Sequence, residues 1–394
     1  MKPAFLNRRE FLSRTLVFGA GVPLGFLLSE RDVLAAPAPP VTGSSDIKTN
    51  ARVAIVPCHT YGAEVAGALD QCFDLLGGIQ HLVRGKTVTV KLNLTGTDFT
   101  PFLGRPVGET FMTHYATALA LAKALFRDGA TRVRFVESTQ SRASLESTLG
   151  FADWDLKALT ALGKVEFENT RNLGSGKRYA TLKLPSGGLM FSAFDLNHAY
   201  ADTDVMISMA KLKNHVTAGV TLSMKNMFGL TPNSIYGSKA GDEDATEGRM
   251  PLHNPTGFEK MRFPGLKDGI TSKDPTWRVP RITVDICHAR PVHLAIIDGI
   301  SAMKGGEGPW CGGEQKLSFT NPGVLIAGLN PVSTDAVATA VMGYKDPRAP
   351  RGVKPFENCD NHLLMAEQQG VGIADLAKID LRGLPIAKAR YPYG

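Results

Sequence analysis

The chain has 394 residues, of which 43% are hydrophobic and 21% are charged, and its formal net charge is +7. This composition is typical of a soluble globular protein whose core is large enough for one large or two medium domains. The basic residues are scattered, with neither a Lys/Arg run nor a basic stripe interleaved with aromatic rings, so we expect no nucleic-acid partner.

The first 35 residues are typical of a bacterial export signal. The sequence N-R-R-E-F-L at 7–12 is a twin-arginine pattern, a weakly apolar segment follows it, and V-L-A at 33–35 offers small residues for cleavage. A membrane-spanning helix needs about 20 apolar residues, and this segment is shorter and rich in glycine. We therefore predict a signal peptide over 1–35, the Tat export machinery as a partner and a periplasmic location. An uncleaved signal would instead anchor the protein in the membrane.

Strand and helix patterns alternate after a predicted linker, the Pro-, Ser- and Thr-rich segment 36–50. Strand–helix–strand units of this length indicate parallel strands with right-handed crossovers. The predicted elements of this half are strands at 52–57, 87–94 and 131–137, helices at 62–78 and 111–127, and a Pro/Gly loop at 100–109.

The second half of the chain continues this alternation after an irregular stretch at 150–200. The continuous apolar run 204–210 is typical of a central strand that is buried on both faces. Residues 231–280 form a long polar insertion, which we interpret as a lid, a binding loop or a disordered segment. The other predicted elements are a hairpin at 179–194, strands at 293–300 and 323–329, a Gly-rich loop at 305–313, and helices at 332–342 and 361–369.

These elements predict a single α/β domain over 51–385. Its sheet is expected to be mostly parallel or mixed, with flanking helices. A division of this domain into two lobes is the alternative arrangement.

Three cationic side chains of one parity follow the apolar run 204–210. Because alternate residues of an extended chain face the same way, we expect Lys211, Lys213 and His215 to point in one direction. They lie at the carboxyl end of a predicted parallel strand, where open α/β sheets bind ligands. Burying such groups without partners costs several kcal/mol. An anionic ligand, or a set of carboxylates, is therefore expected beside them.

The segment that follows is predicted to be helical. Thr217, Thr221 and Lys225 are spaced four apart and would share one helical face, with Asn226 beside them. Two hydroxyl groups and an ammonium group near a helix N-terminus suit the oxygens of a phosphate or a carboxylate. A solvated basic loop is the alternative, which the apolar residues of the segment disfavour.

Two further segments would complete a pocket. Lys91 and Asn93 end the second predicted strand and would form another wall. Asp298 ends a later strand, and Glu307 follows in a loop whose Gly308 would let backbone N–H groups approach a ligand. The two carboxylates could act as general acid/base groups, as metal ligands or as counter-ions to the lysines. An edge lysine and an ordinary turn with solvated carboxylates are the alternatives.

The cysteines are dispersed and include no C-x-x-C pair. Local spacing therefore offers no iron–sulfur or structural zinc motif. We favour buried free thiols, and a Cys58–Cys72 disulfide is the alternative that an oxidising periplasm would permit. The five residues are Cys58, Cys72, Cys287, Cys311 and Cys359.

Several blocks of the chain resemble, in order, the family known as domain of unknown function 362. The blocks are V-K-L-N at 90–93, T-F-M-T-H…F-R-D-G-A-T-R-V-R-F-V-E at 110–137, M-A-K-L-K-N-H…T-L-S-M-K-N-M-F-G at 209–229, I-I-D-G-I-S-A-M-K-G-G-E-G-P at 296–309 and N-P-V-S-T-D-A-V-A at 330–338. The resemblance implies one α/β unit over about residues 50–380, with a pocket built from distant blocks. Some members carry a ferredoxin-like iron–sulfur module, but this chain lacks its cysteine pattern, so the resemblance implies no cluster here.

We expect an enzyme that acts on an anionic small molecule, a carboxylate or a phosphate, in this Lys/His pocket. The candidate catalytic residues are His215, Lys213 and Lys225, because crowded ammonium groups lower lysine pKa values and make one lysine a plausible base. The candidate substrate-binding residues are Lys91, Asn93, Lys211, Thr221, Asn226 and Gly308.

Two other classes of function stay open. The first is a metal- or cofactor-dependent redox protein with a redox partner, because the twin-arginine route often carries proteins with cofactors already inserted. Its candidate metal ligands are Asp298 and Glu307, joined by His215 and Asp335, although Asp335 could instead stabilise the start of its own helix. The second is a non-catalytic periplasmic binding protein.

Overall fold

The computed structural model describes residues 50–254, 256–270, 272, 274–312 and 316–394. The predicted signal peptide over 1–35, and all but the last residue of the linker over 36–50, lie outside the described residues. The described residues belong to one compact unit, and a division into two lobes is not observed. None of the helices in this part of the chain is both long enough and apolar enough to cross a membrane.

One sheet of eight strands organises the molecule, in the order β14-β1-β13-β10-β7-β2-β3-β4. The strands are β1 (Arg52–Pro57), β2 (Thr87–Lys91), β3 (Arg132–Glu137), β4 (Val165–Asn169), β5 (Ala180–Lys183), β6 (Ala193–Leu196), β7 (Val205–Lys211), β8 (Asn214–His215), β9 (Gly219–Val220), β10 (Leu294–Gly299), β11 (Ala302–Lys304), β12 (Ser318–Thr320), β13 (Val324–Gly328) and β14 (Asp380–Gly383). The pairs β5–β6, β8–β9 and β11–β12 form small separate ribbons, and the first of these is the predicted hairpin.

The large sheet is mostly parallel but mixed, as predicted. Strands β10, β7, β2, β3 and β4 are parallel to one another, and β1 is parallel to β14. Strand β13 lies between β1 and β10 and is antiparallel to both. The carboxyl ends of β1, β10, β7, β2 and β3 therefore meet at one edge, which is where open sheets bind ligands.

Helices cover both faces of the sheet. They are α1 (Glu64–Leu76), α2 (Gln80–Val83), α3 (Val107–Thr110), α4 (Tyr115–Arg127), α5 (Leu145–Phe151), α6 (Leu156–Thr160), α7 (Leu222–Met227), α8 (Asn233–Tyr236), α9 (Met250–His253), α10 (Arg278–Ala289), α11 (Pro331–Val341), α12 (His362–Gln368) and α13 (Ile386–Ala389). Alternate strand residues face opposite layers, so Val53 and Ile55 pack in a cluster with α7, α10, α11 and α12. Ala54 and Val56 pack in a second cluster with α1 and α4.

Strand β7 is the central strand that the run 204–210 predicted. It pairs with β10 on one side and with β2 on the other, and all seven of its residues are buried. Parallel strands that are covered on both faces carry continuous apolar runs. The motif that follows β7 therefore starts from the interior of the sheet, where a charged side chain needs a partner.

Two element boundaries differ from the predictions. The helix predicted at 111–127 begins only at Tyr115, because the ring of His114 caps it and accepts the N–H of Ala116 at 3.0 Å from Nδ1. The strand predicted at 87–94 ends at Lys91, after which the chain turns toward Thr113: Asn93 N–H donates to the Thr113 hydroxyl at 2.7 Å.

The insertion at 231–280 contains regular structure. It includes α8 and α9, and α10 begins at its carboxyl end with Arg278. Tyr236 and Leu252 are buried in the core, so much of the segment packs instead of forming an open loop. The sequence reasoning missed α10 although Arg278, Arg281 and Asp285 have the spacing of one helical face; Pro280 and several β-branched residues obscured that period.

The prediction of one helical face for Thr217, Thr221 and Lys225 is wrong. The ribbon β8–β9 occupies the positions before Thr221, and α7 begins only at Leu222. Gly219 makes the ribbon turn possible: its φ is +75°, and a Cβ there would lie 2.7 Å from the Pro355 carbonyl oxygen. Thr217 therefore lies in the turn between the two short strands.

Candidate functional site

The candidate site lies at the carboxyl edge of the sheet, where the segments after β2, β7 and β10 meet. Asn93 Nδ2 donates to Asn226 Oδ1 at 3.2 Å, which joins the first segment to the second. Lys213 Nζ donates to the carbonyl oxygen of Glu307 at 2.9 Å, which joins the second segment to the third. The structure therefore brings together the three segments that the sequence singled out.

Lys91 forms a buried ion pair. Its Nζ lies 2.5 Å from Glu137 Oε1 and also donates to the Leu92 carbonyl oxygen at 2.7 Å. Glu137 ends β3, beside β2, and its second oxygen accepts the N–H of Leu94 at 2.7 Å. Burial lowers the pKa of Lys91, and the Glu137 charge opposes this. Lys91 is thus held by the protein itself at the base of the site.

Lys211 forms a second internal ion pair, with Asp298. Its Nζ lies 3.2 Å from Asp298 Oδ2, and both side chains are fully buried. Lys211 also donates to the Tyr61 hydroxyl at 2.6 Å, and that hydroxyl donates to Asp298 Oδ1 at 2.9 Å. The His114 ring stacks on Tyr61 with centroids 3.6 Å apart. Asp298 is therefore a counter-ion of Lys211, one of the roles that the sequence left open for it.

Lys213 is buried without a carboxylate in its hydrogen-bonding shell. Its Nζ donates to the carbonyl oxygens of Phe111 and Glu307 at 2.7 and 2.9 Å. Burial lowers its pKa to about 7, with the Glu307 charge opposing this shift. Carbonyl oxygens compensate a positive charge less well than a carboxylate does. The amine is therefore poised between its charged and neutral forms near neutral pH.

His215 and Glu307 face each other across the same end of the site. His215 Nδ1 lies 4.0 Å from Glu307 Oε2, and burial lowers the pKa of His215 well below its usual value. The Glu307 carboxylate accepts the Val216 N–H at 3.0 Å and the Trp310 indole N–H at 3.2 Å. Burial would raise the pKa of Glu307, but His215 and these hydrogen bonds lower it to about 2. Near pH 7 the pair is therefore a neutral imidazole beside an ionised carboxylate.

Lys225 is the buried lysine of the site that lacks a hydrogen-bond or ion-pair partner among the described residues. Its side chain is nine-tenths buried, and its Nζ lies 4.2 Å from the centroid of the Phe228 ring. Burial lowers its pKa to about 7; the Glu307 charge opposes the shift, and Arg249 and Lys91 add to it. A buried cation without an acceptor is costly. Lys225 is therefore the group of the site to which an anionic ligand would supply the missing acceptor.

Asn93 and Asn226 form a polar bridge next to Lys225. Asn226 Nδ2 donates to the hydroxyl of Ser208 at 3.0 Å and to the Lys91 carbonyl oxygen at 3.3 Å. Asn93 Oδ1 is buried and accepts no hydrogen bond from any described residue. Buried amide oxygens nearly always accept a hydrogen bond. Asn93 Oδ1 is therefore a second atom that can bind a ligand, as the acceptor of a hydrogen bond from it.

The remaining substrate-binding candidates have structural contacts. The Thr221 hydroxyl donates to the Asn214 carbonyl oxygen at 3.0 Å, which ties α7 to the ribbon β8–β9. At Gly308 a Cβ would lie 2.2 Å from the Trp310 ring, so the glycine permits close packing of the half-exposed indole. Both residues shape the site through these contacts. Neither contact identifies an atom that would bind a ligand.

A cavity of about 270 Å³ opens beside the site. Its lining includes Asn214, His215, Gly305, Tyr344 and Glu357. His215 lines this cavity and Lys225 does not, although the Lys225 charge contributes to lowering the pKa of His215. The cavity is large enough for a small organic anion, and it places solvent access next to the imidazole.

The proposed metal ligands do not come together. Asp298 is bound to Lys211, Glu307 faces His215, and Asp335 accepts the N–H groups of Ser223 and Met224 at the start of α7 at 2.9 and 2.7 Å. Within the described ranges, no group of three or more His, Cys, Asp or Glu side chains is spaced to hold a metal ion. All five cysteines lie within those ranges as free thiols, so the Cys58–Cys72 disulfide is not formed.

Three contributors to the site were missed by the sequence reasoning. Glu137 could have been found, because it ends a strand predicted next to the one that carries Lys91. Arg249 gave no such signal, since it lies in the insertion; its guanidinium contacts the Ser138 hydroxyl and the Gly229 carbonyl oxygen. Trp310 lies within the predicted Gly-rich loop, where an aromatic side chain could have been expected to shield a binding site.

Positive charge exceeds negative charge at this edge of the sheet. Two of the lysines are neutralised by their own carboxylates, and one further carboxylate attracts both Lys213 and Lys225. Arg249 is attracted by the carboxylate that already pairs with Lys91. The cations are Lys91, Lys211, Lys213, Lys225 and Arg249, and the carboxylates are Glu137, Asp298 and Glu307. The arrangement can therefore bind an anion, and it holds two amines, those of Lys213 and Lys225, whose pKa values of about 7 let them exchange protons near neutral pH.

Comparison with known proteins identifies the family. A family model described as "Domain of unknown function (DUF362)" matches residues 88–340, which span strands β2 to β13 and the site residues from Lys91 to Asp335. The chain has no match among curated proteins. Since the match covers more than half of the sequence, the chain belongs to the family Domain of unknown function (DUF362).

Proposed function

We propose that this protein is an exported enzyme that acts on an anionic small molecule, a carboxylate or a phosphate, at the carboxyl edge of its sheet. The observation that carries the proposal is the Lys225 amine, which is nine-tenths buried and has no hydrogen-bond or ion-pair partner among the described residues. An anion would supply the missing acceptor, and Lys213 and Arg249 would add to the attraction. The periplasmic location rests on the twin-arginine pattern at 7–12.

The same groups suit proton transfer to or from the bound molecule. The pKa values of Lys213 and Lys225 are lowered to about 7, which is the range in which a general acid or base is most effective. His215 is neutral at this pH, because burial depresses its pKa. We assign Lys225 the proton-transfer role and the neutral His215 a hydrogen-bonding role, and we assign the inner pairs Lys91–Glu137 and Lys211–Asp298 the task of holding the sheet edge in place.

The test is ligand-induced thermal stabilisation with a panel of phosphates and small mono- and dicarboxylates. The Lys225→Met variant removes the unpaired amine but keeps the length of the side chain. Losing a charged hydrogen bond of about 1.5–3 kcal/mol weakens binding by roughly ten- to a hundredfold, so the stabilisation seen for the parent protein should shift to correspondingly higher ligand concentrations.

The matched control is Lys239→Met, which removes an exposed lysine on the insertion and should leave the stabilisation unchanged. Equal stabilisation of Lys225→Met and the parent protein by every anion would show that the pocket is misplaced. Turnover is followed by NMR of the stabilising compound, and tight retention without chemical change would identify a binding protein instead of an enzyme.

A further inference from the structure

Lys225 differs from the other cations of the site in what surrounds its nitrogen. Lys91, Lys211 and Lys213 each donate to at least two oxygen atoms of the protein. Among the described residues the Lys225 nitrogen has no hydrogen-bond or ion-pair partner, and it lies 4.2 Å from the centroid of the Phe228 ring. A nucleophilic amine needs a lone pair that no ion pair or hydrogen-bond network occupies. Of the site's amines, Lys225 meets this condition.

We propose that Lys225 is a nucleophile that forms an imine with the carbonyl group of an anionic oxo compound, such as a 2-oxo acid. This inference rests on the proposed function and names the substrate class within it. The lowered pKa of Lys225, about 7, supports the assignment because comparable amounts of free amine and ammonium are then present at neutral pH. Lys213 has a similar pKa, but two carbonyl oxygens hold its nitrogen in place.

The step balances with the site, the substrate and one proton from solvent. The free amine of Lys225 adds to the carbonyl carbon, a C–N bond forms and the carbonyl π electrons move to oxygen; the nitrogen then loses a proton and the oxygen gains one, which gives a neutral carbinolamine. A proton from solvent reaches this oxygen, the nitrogen lone pair expels it as water, and an iminium ion remains. No oxidant or reductant takes part, and water is the leaving group.

His215 can donate a hydrogen bond to the substrate oxygen in this step. Its Nδ1 accepts the N–H of Thr217 at 3.2 Å, so the proton of the neutral ring resides on Nε2 and that nitrogen is a donor. Glu307, whose pKa is lowered to about 2, stays ionised and attracts the iminium charge. The unpaired Asn93 Oδ1 offers an acceptor for a hydroxyl group of the intermediate.

Anion recognition explains why the substrate would carry a negative charge. Lys213 and Arg249 add positive charge near Lys225, and Glu307 balances only part of it. A carboxylate on the carbon next to the carbonyl group would bring compensating charge into the site while the carbonyl reaches the amine. A neutral aldehyde would leave that charge uncompensated.

Borohydride trapping tests the imine directly. The full protein is incubated with pyruvate, glyoxylate or phenylglyoxylate and sodium cyanoborohydride, and its mass is measured before and after peptide mapping. We expect one reduced adduct per chain, located on Lys225, whose yield rises with pH around a midpoint near 7. Lys225→Arg, which keeps the charge but cannot form an imine, should give none, and Lys239→Arg should give as much as the parent protein.

The outcomes separate this inference from the proposed function. Lactate, which has the charge and size of pyruvate but no carbonyl group, serves as the comparison ligand in thermal stabilisation. Binding of both acids without any adduct on Lys225, or an adduct on Lys213 instead, would overturn the imine and leave the anion site standing. If none of these acids stabilises the protein and no adduct forms, the imine fails, and the anion site then depends on the wider panel of phosphates and carboxylates.

Discussion

The buried lysines of the site differ in what neutralises them. Lys91 and Lys211 have carboxylate partners, Glu137 and Asp298, within 2.5 and 3.2 Å. Removing one member of such a pair leaves an uncompensated buried charge and costs about 3–5 kcal/mol. These two lysines are therefore fixed parts of the fold, and the groups available to a ligand are those around Lys225.

The burial of Lys225 predicts a stability difference that depends on pH. Its pKa is about 7 in the folded protein and about 10.4 in the unfolded chain. Between these values the unfolded chain binds more protons, so the stability of the parent protein rises with pH relative to Lys225→Met, by up to about 1.4 kcal/mol per pH unit. Urea unfolding of both proteins between about pH 7 and about pH 8.5 measures this difference.

Lys239→Met again provides the control. Lys239 is exposed and its pKa is raised by Glu247, so it is charged in both states throughout this range and its difference curve should be flat. Parallel curves for Lys225→Met and the parent protein would mean that Lys225 keeps an ordinary pKa, and that the amine is charged at neutral pH.

The sequence predicted the membership of the site better than the contacts within it. The parity of Lys211, Lys213 and His215 and the ends of the predicted strands were sufficient to gather the segments. The parity of these residues could not show that Lys211 forms an ion pair with Asp298, because a contact between strands far apart in sequence depends on the register of the strands. The contribution of Arg249 could not be predicted either, because the sequence of the insertion does not show where the insertion packs against the rest of the chain.

Helix α7 owes its position to a carboxylate from another helix. Asp335 lies on α11, yet its two oxygens accept the N–H groups of Ser223 and Met224 at the start of α7. Burial raises the pKa of Asp335, and the two hydrogen bonds oppose the shift. The sequence interpretation placed this residue at the start of its own helix, where Asn330 is the cap instead.

Removal of this cap should disturb the site as well as the fold. Asp335→Leu leaves two buried N–H groups without acceptors, which should cost about 1–3 kcal/mol in urea unfolding. Because Lys225 lies in the same two-turn helix, we also expect weaker anion-induced stabilisation. Asp335→Asn, which retains one acceptor oxygen, should lose less of both.

Ser144→Ala is the comparison variant, because Ser144 caps the remote helix α5 and its loss should lower stability without altering anion binding. Anion binding by Asp335→Leu with unchanged affinity would show that the cap supports the fold alone.

The spacing of apolar residues along the chain predicted the long buried strands accurately, and it failed for short elements whose apolar residues have no regular spacing. Strand β1 and the central strand β7 were placed within one residue, because their apolar runs have clear ends. The short ribbon β8–β9 was taken for helix, since Thr217, Thr221 and Lys225 have a helical spacing that the turn at Gly219 overrides. The reversal of β13 could not be predicted, because the direction of a strand is not written in its own residues.

At the scale of the whole molecule, the prediction to test is export. The twin-arginine route requires the paired arginines at 8 and 9, so Arg8→Lys combined with Arg9→Lys should retain most of the protein in the cytoplasm. Cell fractionation with detection of the full chain measures the distribution. The neighbouring Arg14→Lys variant should be exported normally. Periplasmic recovery of the double variant at the parent level would refute the route.

The placement of β1 has a consequence for synthesis. Val53 of this strand pairs with both Gly328 and Leu381, so its two neighbours leave the ribosome only after most of the chain has been made. Closing so long a loop is entropically costly, and such long-range pairing slows folding. Until then β1 exposes unpaired N–H and C=O groups on both sides, an edge prone to join another nascent chain. We therefore expect β1 to be a site at which nascent chains associate when folding is delayed.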